Sequence, residues 1–264
     1  VTSAEIGVFG GSGLYAFLDD AEEVVVDTPY GAPSAPLTVG TVGGRRVAFL
    51  PRHGRDHQFP PHVVPYRANV WAMKELGVTR LFAPSAAGSL RRDIPPRTFV
   101  VSDQAIDVTR SRQNTFYDGP TTTHVSFADP YCPVMRRVLV EQADALGIEH
   151  RDGGTMVVIE GPRFSTRAES KMFTQVGGDV IGMTQFPEVT LARELELCFA
   201  NVALVTDYDV GVDDIAPVSH AEVLKVFGEN VDRLRDLLFA AIPAVPEDRG
   251  ACDCAHALGG SGHD

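Results

Sequence analysis

Short apolar runs, each closed by glycine, proline or charge, alternate along this chain with stretches whose apolar positions recur every three or four residues. The runs predict strands over Ile6–Gly10, Glu23–Asp27, Leu37–Val42, Arg46–Leu50 and Arg80–Ser85. Further strands are predicted over Thr98–Ser102, Thr155–Glu160, Asp179–Met183 and Phe199–Thr206. Helical spacing appears over Tyr66–Leu76, Pro133–Leu146, Thr166–Gln175, Pro187–Leu197 and Ser219–Ile242. Two of these helices open on a capping box, Thr166-x-x-Glu169 and Ser219-x-x-Glu222, and a third on Pro187. Strands alternating with helices predict an α/β fold with one mixed, largely parallel β-sheet flanked by helices. Neither an internal repeat nor a linker divides residues 1–245, which read as a single domain.

The last stretch breaks this pattern. From Pro246 the chain runs through Glu-Asp-Arg-Gly, then Cys252-Asp-Cys254-Ala-His256, then Gly259-Gly-Ser-Gly262, so 246–264 read as a flexible tail. Cys252, Cys254 and His256 could instead form a redox pair or hold a metal, but three ligands without a second cluster are a weak zinc signal. Cys132 and Cys198 read as core residues, and the expectation is no metal site and no cofactor.

Composition narrows the partners. A formal charge of −12 argues against a nucleic-acid partner, which calls for a basic stripe. It leaves room for a small anion, because one Arg in a cleft outweighs diffuse, screened surface charge. No apolar run is long enough for a membrane span and no signal-type segment opens the sequence, so cytoplasm is the expected compartment.

Several strand ends carry chemistry. Gly10-Gly-Ser-Gly-Leu-Tyr-Ala16 resembles a dinucleotide fingerprint, but too few residues precede the next strand for a crossover helix. A glycine turn offering N–H groups and the Ser12 hydroxyl to an anion fits better. Pro51-Arg-His-Gly-Arg-Asp-His57 reads as an anion clamp, with Arg52 supplying a planar fork and His53 a second donor. Ser85-Ala-Ala-Gly-Ser89 reads as a small-residue loop suited to the same anion. Phe164 lies among Arg163, Ser165, Thr166 and Arg167, where a flat base could stack. Gly182-Met-Thr184 and Thr206-Asp-Tyr-Asp209 add a thioether, a hydroxyl and two carboxylates at the sheet's carboxyl edge, where ligands bind in open α/β sheets.

Taken in order, Gly10-Gly-Ser-Gly-Leu, Arg52-His-Gly-Arg, Tyr66-Arg-Ala-Asn69, Ala86-Ala-Gly-Ser-Leu90 and Phe116-Tyr-Asp-Gly119 resemble the trimeric purine nucleoside phosphorylases. Glu160-Gly-Pro-Arg-Phe-Ser165, Gly182-Met-Thr184, Pro187-Glu-Val189 and Thr206-Asp-Tyr-Asp209 extend the resemblance, which is nearest to the 5'-methylthioadenosine phosphorylase branch. It implies that phosphate is held by Ser12, Arg52, His53, Ser85, the N–H of Ala86, and Thr184. It implies that Met183 lies against the ribose, that Phe164 and Ser165 border the base, and that Asp207 and Asp209 face N7 and the 6-amino group of adenine. Asp207 would then be the catalytic acid. His124 matches a residue that enters a neighbouring site, which implies a homotrimer. His220 departs from the branch, where a small apolar residue is usual, and favours a 5'-hydroxyl. The implied reaction is phosphorolysis of methylthioadenosine. Its alternatives are a phosphorylase for ordinary purine nucleosides, a hydrolase, and a non-catalytic nucleoside- or NAD-binding module.

Overall fold

The computed structural model describes residues 2–10, 18–120, 122–210, 212 and 219–259, without the side chains of residues 19 and 220. Strand β1 (Ile6–Phe9) shows how the core is built. Ile6 and Val8 pack with one cluster of buried side chains and Phe9 with another, the two-residue alternation of a strand covered on both faces. On the first face lie Met135, Val138 and Leu139 of α2 (Pro133–Ala145) and Leu234, Leu237 and Leu238 of α5 (His220–Ala244). On the second lie Val70 and Met73 of α1 (Tyr66–Glu75) and Val189 and Leu191 of α4 (Gln185–Glu194).

The strands form two sheets, not the single one expected. The first has β1 between β4 (Arg45–Leu50) and β5 (Arg80–Phe82). Beyond β4 come β3 (Leu37–Val42) and β2 (Asp19–Val24), and beyond β5 comes β12 (Cys198–Ala200). The second runs β8 (Gln104–Asp107), β10 (Thr155–Val158), β11 (Val180–Gly182), β6 (Ser85–Ser89), β13 (Ala203–Tyr208), β7 (Phe99–Val101) and β9 (His150–Asp152). The β2–β3, β3–β4, β6–β11 and β7–β13 pairs are antiparallel and the other described pairs parallel.

Each of two expected strands divides where it passes between the sheets. Arg80–Ser85 breaks at Pro84, which has no N–H for a ladder, and Phe199–Thr206 breaks at Asn201. The passages run side by side: Ala83 N–H donates to Ala200 O at 2.9 Å and Ser85 N–H to Val202 O at 3.1 Å. Asn201 is fully buried there; its Nδ2 donates to Ala83 O at 2.8 Å and Ser85 Oγ at 3.1 Å, and its Oδ1 accepts from Ser102 Oγ. Ser85–Ser89 is therefore a central strand, not a loop.

Helix α3 (Arg167–Gln175) carries the full capping box expected of Thr166 and Glu169. At α5, Ser219 accepts from Glu222 N–H. Residues 246–259 do not hang free as expected. Arg80 donates to the carbonyl oxygen of Pro246 at 2.7 Å and also binds that of Glu247, and Arg249 holds that of Glu196. A 3-10 turn, Asp253–His256, then buries Cys254.

Candidate active site

A cavity of about 720 Å³ opens between the carboxyl edge of the strands and α5. Its wall includes Arg52, His53, Ser85, Ala86, Phe164, Ser165, Met183, Thr184, Asp207 and Asp209, which the sequence scatters over 158 positions. Ser12 lies outside the described residues, as does the side chain of His220. His124 is exposed and does not line this cavity within its own chain.

One part of the wall is rich in groups that favour an anion. The Ser85 hydroxyl accepts from Asn201, so its own proton is left to donate. Thr184 stands at the N-cap of α4 yet makes no side-chain cap bond, leaving its hydroxyl to the cavity. Arg52 departs from the simple clamp expected of it. Its Nε and NH2 pair with the carboxylate of Glu188, which is wholly buried, and its NH1 donates to Pro84 O at 3.1 Å. Three of five N–H groups are thus used, and two remain for a ligand. His53 also departs from its expected part. Its Nδ1 lies 2.8 Å from Phe59 O and must carry the proton, because a carbonyl has none. Burial first, and then the Arg52 charge, lower its pKa to about 4, so the ring is neutral and Nε2 is an acceptor rather than a second donor. Nε2 suits a phosphate that still bears a proton. His57 stacks on this ring with centroids 4.5 Å apart.

The other polar group of the wall comes from β13. The β13–β6 register slips between Val205 and Asp207, a bulge that sets Asp207 beside Gly88. A methyl group at Gly88 would stand 3.0 Å from Asp207 Oδ1, so only glycine lets the carboxylate sit there without displacement. Thr206 donates to Asp207 Oδ2 at 2.7 Å and steadies it. Burial raises the Asp207 pKa to about 6, with the charges of Asp209 and Glu222 adding to the rise against the Thr206 hydrogen bond. Burial also raises Asp209, against hydrogen bonding from Ser170. Ser165 Oγ lies near enough to favour the Asp209 carboxylate, but out of hydrogen-bonding geometry. Both Ser165 Oγ and Asp209 Oδ2 are buried without a hydrogen-bond partner, a costly state that a polar ligand would relieve.

Because Ser85 pairs Ala203 and Gly88 pairs Asp207, the hydroxyl and the acid are separated by about 10 Å along the strands. That leaves room for a sugar between them. Phe164, 36% exposed, offers a ring face at the rim, and Val223, Leu224 and Phe227 of α5 make an apolar flank. These three recur at helical spacing, and His220 opens the same helix one turn earlier.

Residues 5–243 match the model of the phosphorylase superfamily. The chain belongs to that superfamily. Curated relatives in it include the S-methyl-5'-thioadenosine phosphorylase of Thermofilum pendens, 53% identical over 256 residues, with 96% of this chain and 97% of the relative covered. Another is the purine nucleoside phosphorylase of Streptomyces coelicolor, 54% identical, covering 97% of this chain and 95% of the relative. Among solved structures, a methylthioadenosine phosphorylase from an Antarctic soil metagenomic library superposes with a TM-score of 0.94 at 39% identity, covering 99% of this chain and 93% of that one. The methylthioadenosine phosphorylase of Schistosoma mansoni in complex with adenine gives 0.90 at 35% identity, covering 98% and 97%.

In this phosphorylase fold, sequence reasoning missed the residues that hold the site in place. Glu188 anchors Arg52 and Asn201 orients Ser85. Arg112 ties Tyr66 OH to the carbonyls of Phe186 and Glu160. A carboxylate in the otherwise apolar run Phe186–Val189 was the one signal of such a partner.

Proposed function

We propose that this phosphorylase-superfamily chain cleaves the N-glycosidic bond of 5'-methylthioadenosine with phosphate, releasing adenine and 5-methylthioribose 1-phosphate. The observation that carries this reading is a single cavity holding anion-directed groups and, about 10 Å along the same strands, a partly buried acid with a pKa near 6. Breaking the bond develops positive charge at C1' and negative charge on the departing base. Phosphate held by Arg52, Ser85, Thr184 and the Ala86 peptide stabilises that cation and then captures it. His53 Nε2 accepts the remaining phosphate proton. Asp207 is about one-tenth protonated at pH 7, and a bound base that excludes water raises that share. It delivers or shares its proton with N7, a contribution on the order of 10²–10⁴-fold. Asp209 and Ser165 take up the polar edge of the base, Phe164 stacks on it, and Met183 lies under the ribose. The reaction needs no cofactor, since phosphate is itself the co-substrate.

The apolar flank of Val223, Leu224 and Phe227 favours a methylthio group. A second reading, a phosphorylase for 5'-hydroxyl nucleosides, draws on His220 and on the name of the Streptomyces coelicolor relative. We also infer a homotrimer, with the exposed His124 completing a neighbour's site, and a cytoplasmic enzyme, in keeping with four cysteines that form no disulfide. Incubation with methylthioadenosine, adenosine and inosine, each with and without phosphate, tests the reaction. The expected result is phosphate-dependent release of adenine, fastest from methylthioadenosine. Release at equal rate without phosphate, with free sugar as product, would overturn it.

A further inference from the structure

The spacing of the cysteines alone pointed to no metal, yet folding gathers all four. Cys132 caps the start of α2, Cys198 opens β12, and the Cys252-Asp-Cys254 turn folds back from beyond α5 to meet them. Their four sulfur atoms lie within 4.8 Å of one another, and Cys198 Sγ is 3.6 Å from Cys252 Sγ. None is joined in a disulfide. Around a tetrahedral zinc with bonds of about 2.3 Å, neighbouring sulfurs stand about 3.8 Å apart. The cluster is therefore near that spacing already, and a small contraction completes it.

Its setting suits a charged thiolate group. Cys132, Cys198 and Cys254 are each no more than 3% exposed, and only Cys252 reaches toward solvent, which gives an entry path. Four thiolates around a divalent ion carry a net charge of −2, costly to bury unless cations stand close. Arg193 NH1 donates to Cys254 Sγ at 3.7 Å, and the charge of Arg249 acts on Cys198. The buried Nε of Arg249 has no hydrogen-bond partner, so the guanidinium keeps a donor for the cluster. Thiolate sulfur selects zinc over the hard cations, and four protein ligands in a closed shell mark a structural rather than a catalytic site.

We propose that Cys132, Cys198, Cys252 and Cys254 form a structural tetrathiolate zinc site that fastens the C-terminal segment to α2 and β12. Binding exchanges the thiol protons for one ion, and no oxidant takes part. The test uses the full chain, expressed in zinc-supplemented medium and purified with reductant and without chelator. Elemental analysis is expected to give about one zinc per chain. Cobalt substitution is expected to give the intense visible bands of a tetrahedral thiolate site. Cys252→Ser and Cys254→Ser are expected to abolish both signals while the phosphorolysis rate holds, and a chelator is expected to lower the melting temperature of the wild type alone. The proposal is overturned by wild-type protein without stoichiometric zinc whose four thiols all titrate in denaturant. It is equally overturned if those thiols prove to be two disulfides, or if iron takes the place of zinc. The wild-type measurements decide the matter even if a variant fails to fold.

Discussion

Replacing Asp207 by Asn should make the protein more stable and a poorer enzyme for adenine nucleosides. The pKa of this carboxyl rises from 3.8 to about 6 in the fold, chiefly through burial, so the ionised form is disfavoured there by about 3 kcal/mol. The sign follows from linkage. Below pH 3.8 the group is protonated in both folded and unfolded chains and costs nothing. As pH rises through that value the unfolded chain ionises first, and the cost is complete once the folded pKa is passed. Asn cannot ionise. The stabilisation expected of the mutant is therefore at most about 3 kcal/mol at pH 7.5, falling to roughly 1 kcal/mol at pH 4.5. Thermal unfolding of both proteins at the two pH values measures it, with a shift of about 6 °C or more expected at the higher pH. On the catalytic side, wild-type kcat/KM for methylthioadenosine should fall as pH rises past about 6, and the mutant should lose that slope. It should also shift toward 6-oxopurine nucleosides, because an amide left unpaired against adenine discriminates strongly. A stabilisation over wild type no larger at pH 7.5 than at pH 4.5, or a mutant that keeps its adenine preference, would refute the placement of Asp207 as a largely buried, protonatable reader of the base.

Removing Arg52 as Ala should do more than raise the Michaelis constant for phosphate. It strands the wholly buried Glu188 and should cost about 3–5 kcal/mol in denaturant unfolding, much of it regained in Arg52→Ala/Glu188→Gln, and a stability loss below 1 kcal/mol would show that the pair is not structural. His220→Val should weaken kcat/KM for adenosine by about 0.5–1.5 kcal/mol and spare methylthioadenosine; equal losses on both would remove His220 as a selector of the 5' group. Light scattering should give a trimer or a multiple of one, and an active monomer would rule out a cross-subunit part for His124.

Much of this architecture is readable from local pattern, and what is hidden has a common cause. The capping box at Thr166 and Glu169 and the Ser219 cap of α5 are short-range signals, and the structure follows them. Ten expected wall residues meet in one cavity because they lie in or follow strands of the two sheets whose ends come together there. Pairing across the fold escapes such reading. Nothing near Arg52 in sequence announces Glu188, 136 residues away, and nothing near Cys132 announces Cys254. The division of strands at Pro84 and Asn201 was open to inspection, since both residues interrupt a ladder, but each apolar run reads as continuous. His53 was misjudged as a donor because its tautomer depends on the Phe59 carbonyl, a contact made by the loop's own bend.

The side-by-side passage at Ala83–Pro84 and Asn201–Val202 has a mechanical consequence. Arg52 follows the end of β4 in one sheet, whereas Asp207 stands in β13 of the other. Of the groups proposed for the anion, Arg52 is thus carried by one sheet and Ser85, Ala86 and Thr184 by or beside the other, and these backbone passages with the buried Asn201 join the two. A small change in the angle between the sheets would therefore widen or narrow the space between Arg52 on one side and Ser85 and Thr184 on the other, while leaving the strand pairing within each sheet intact.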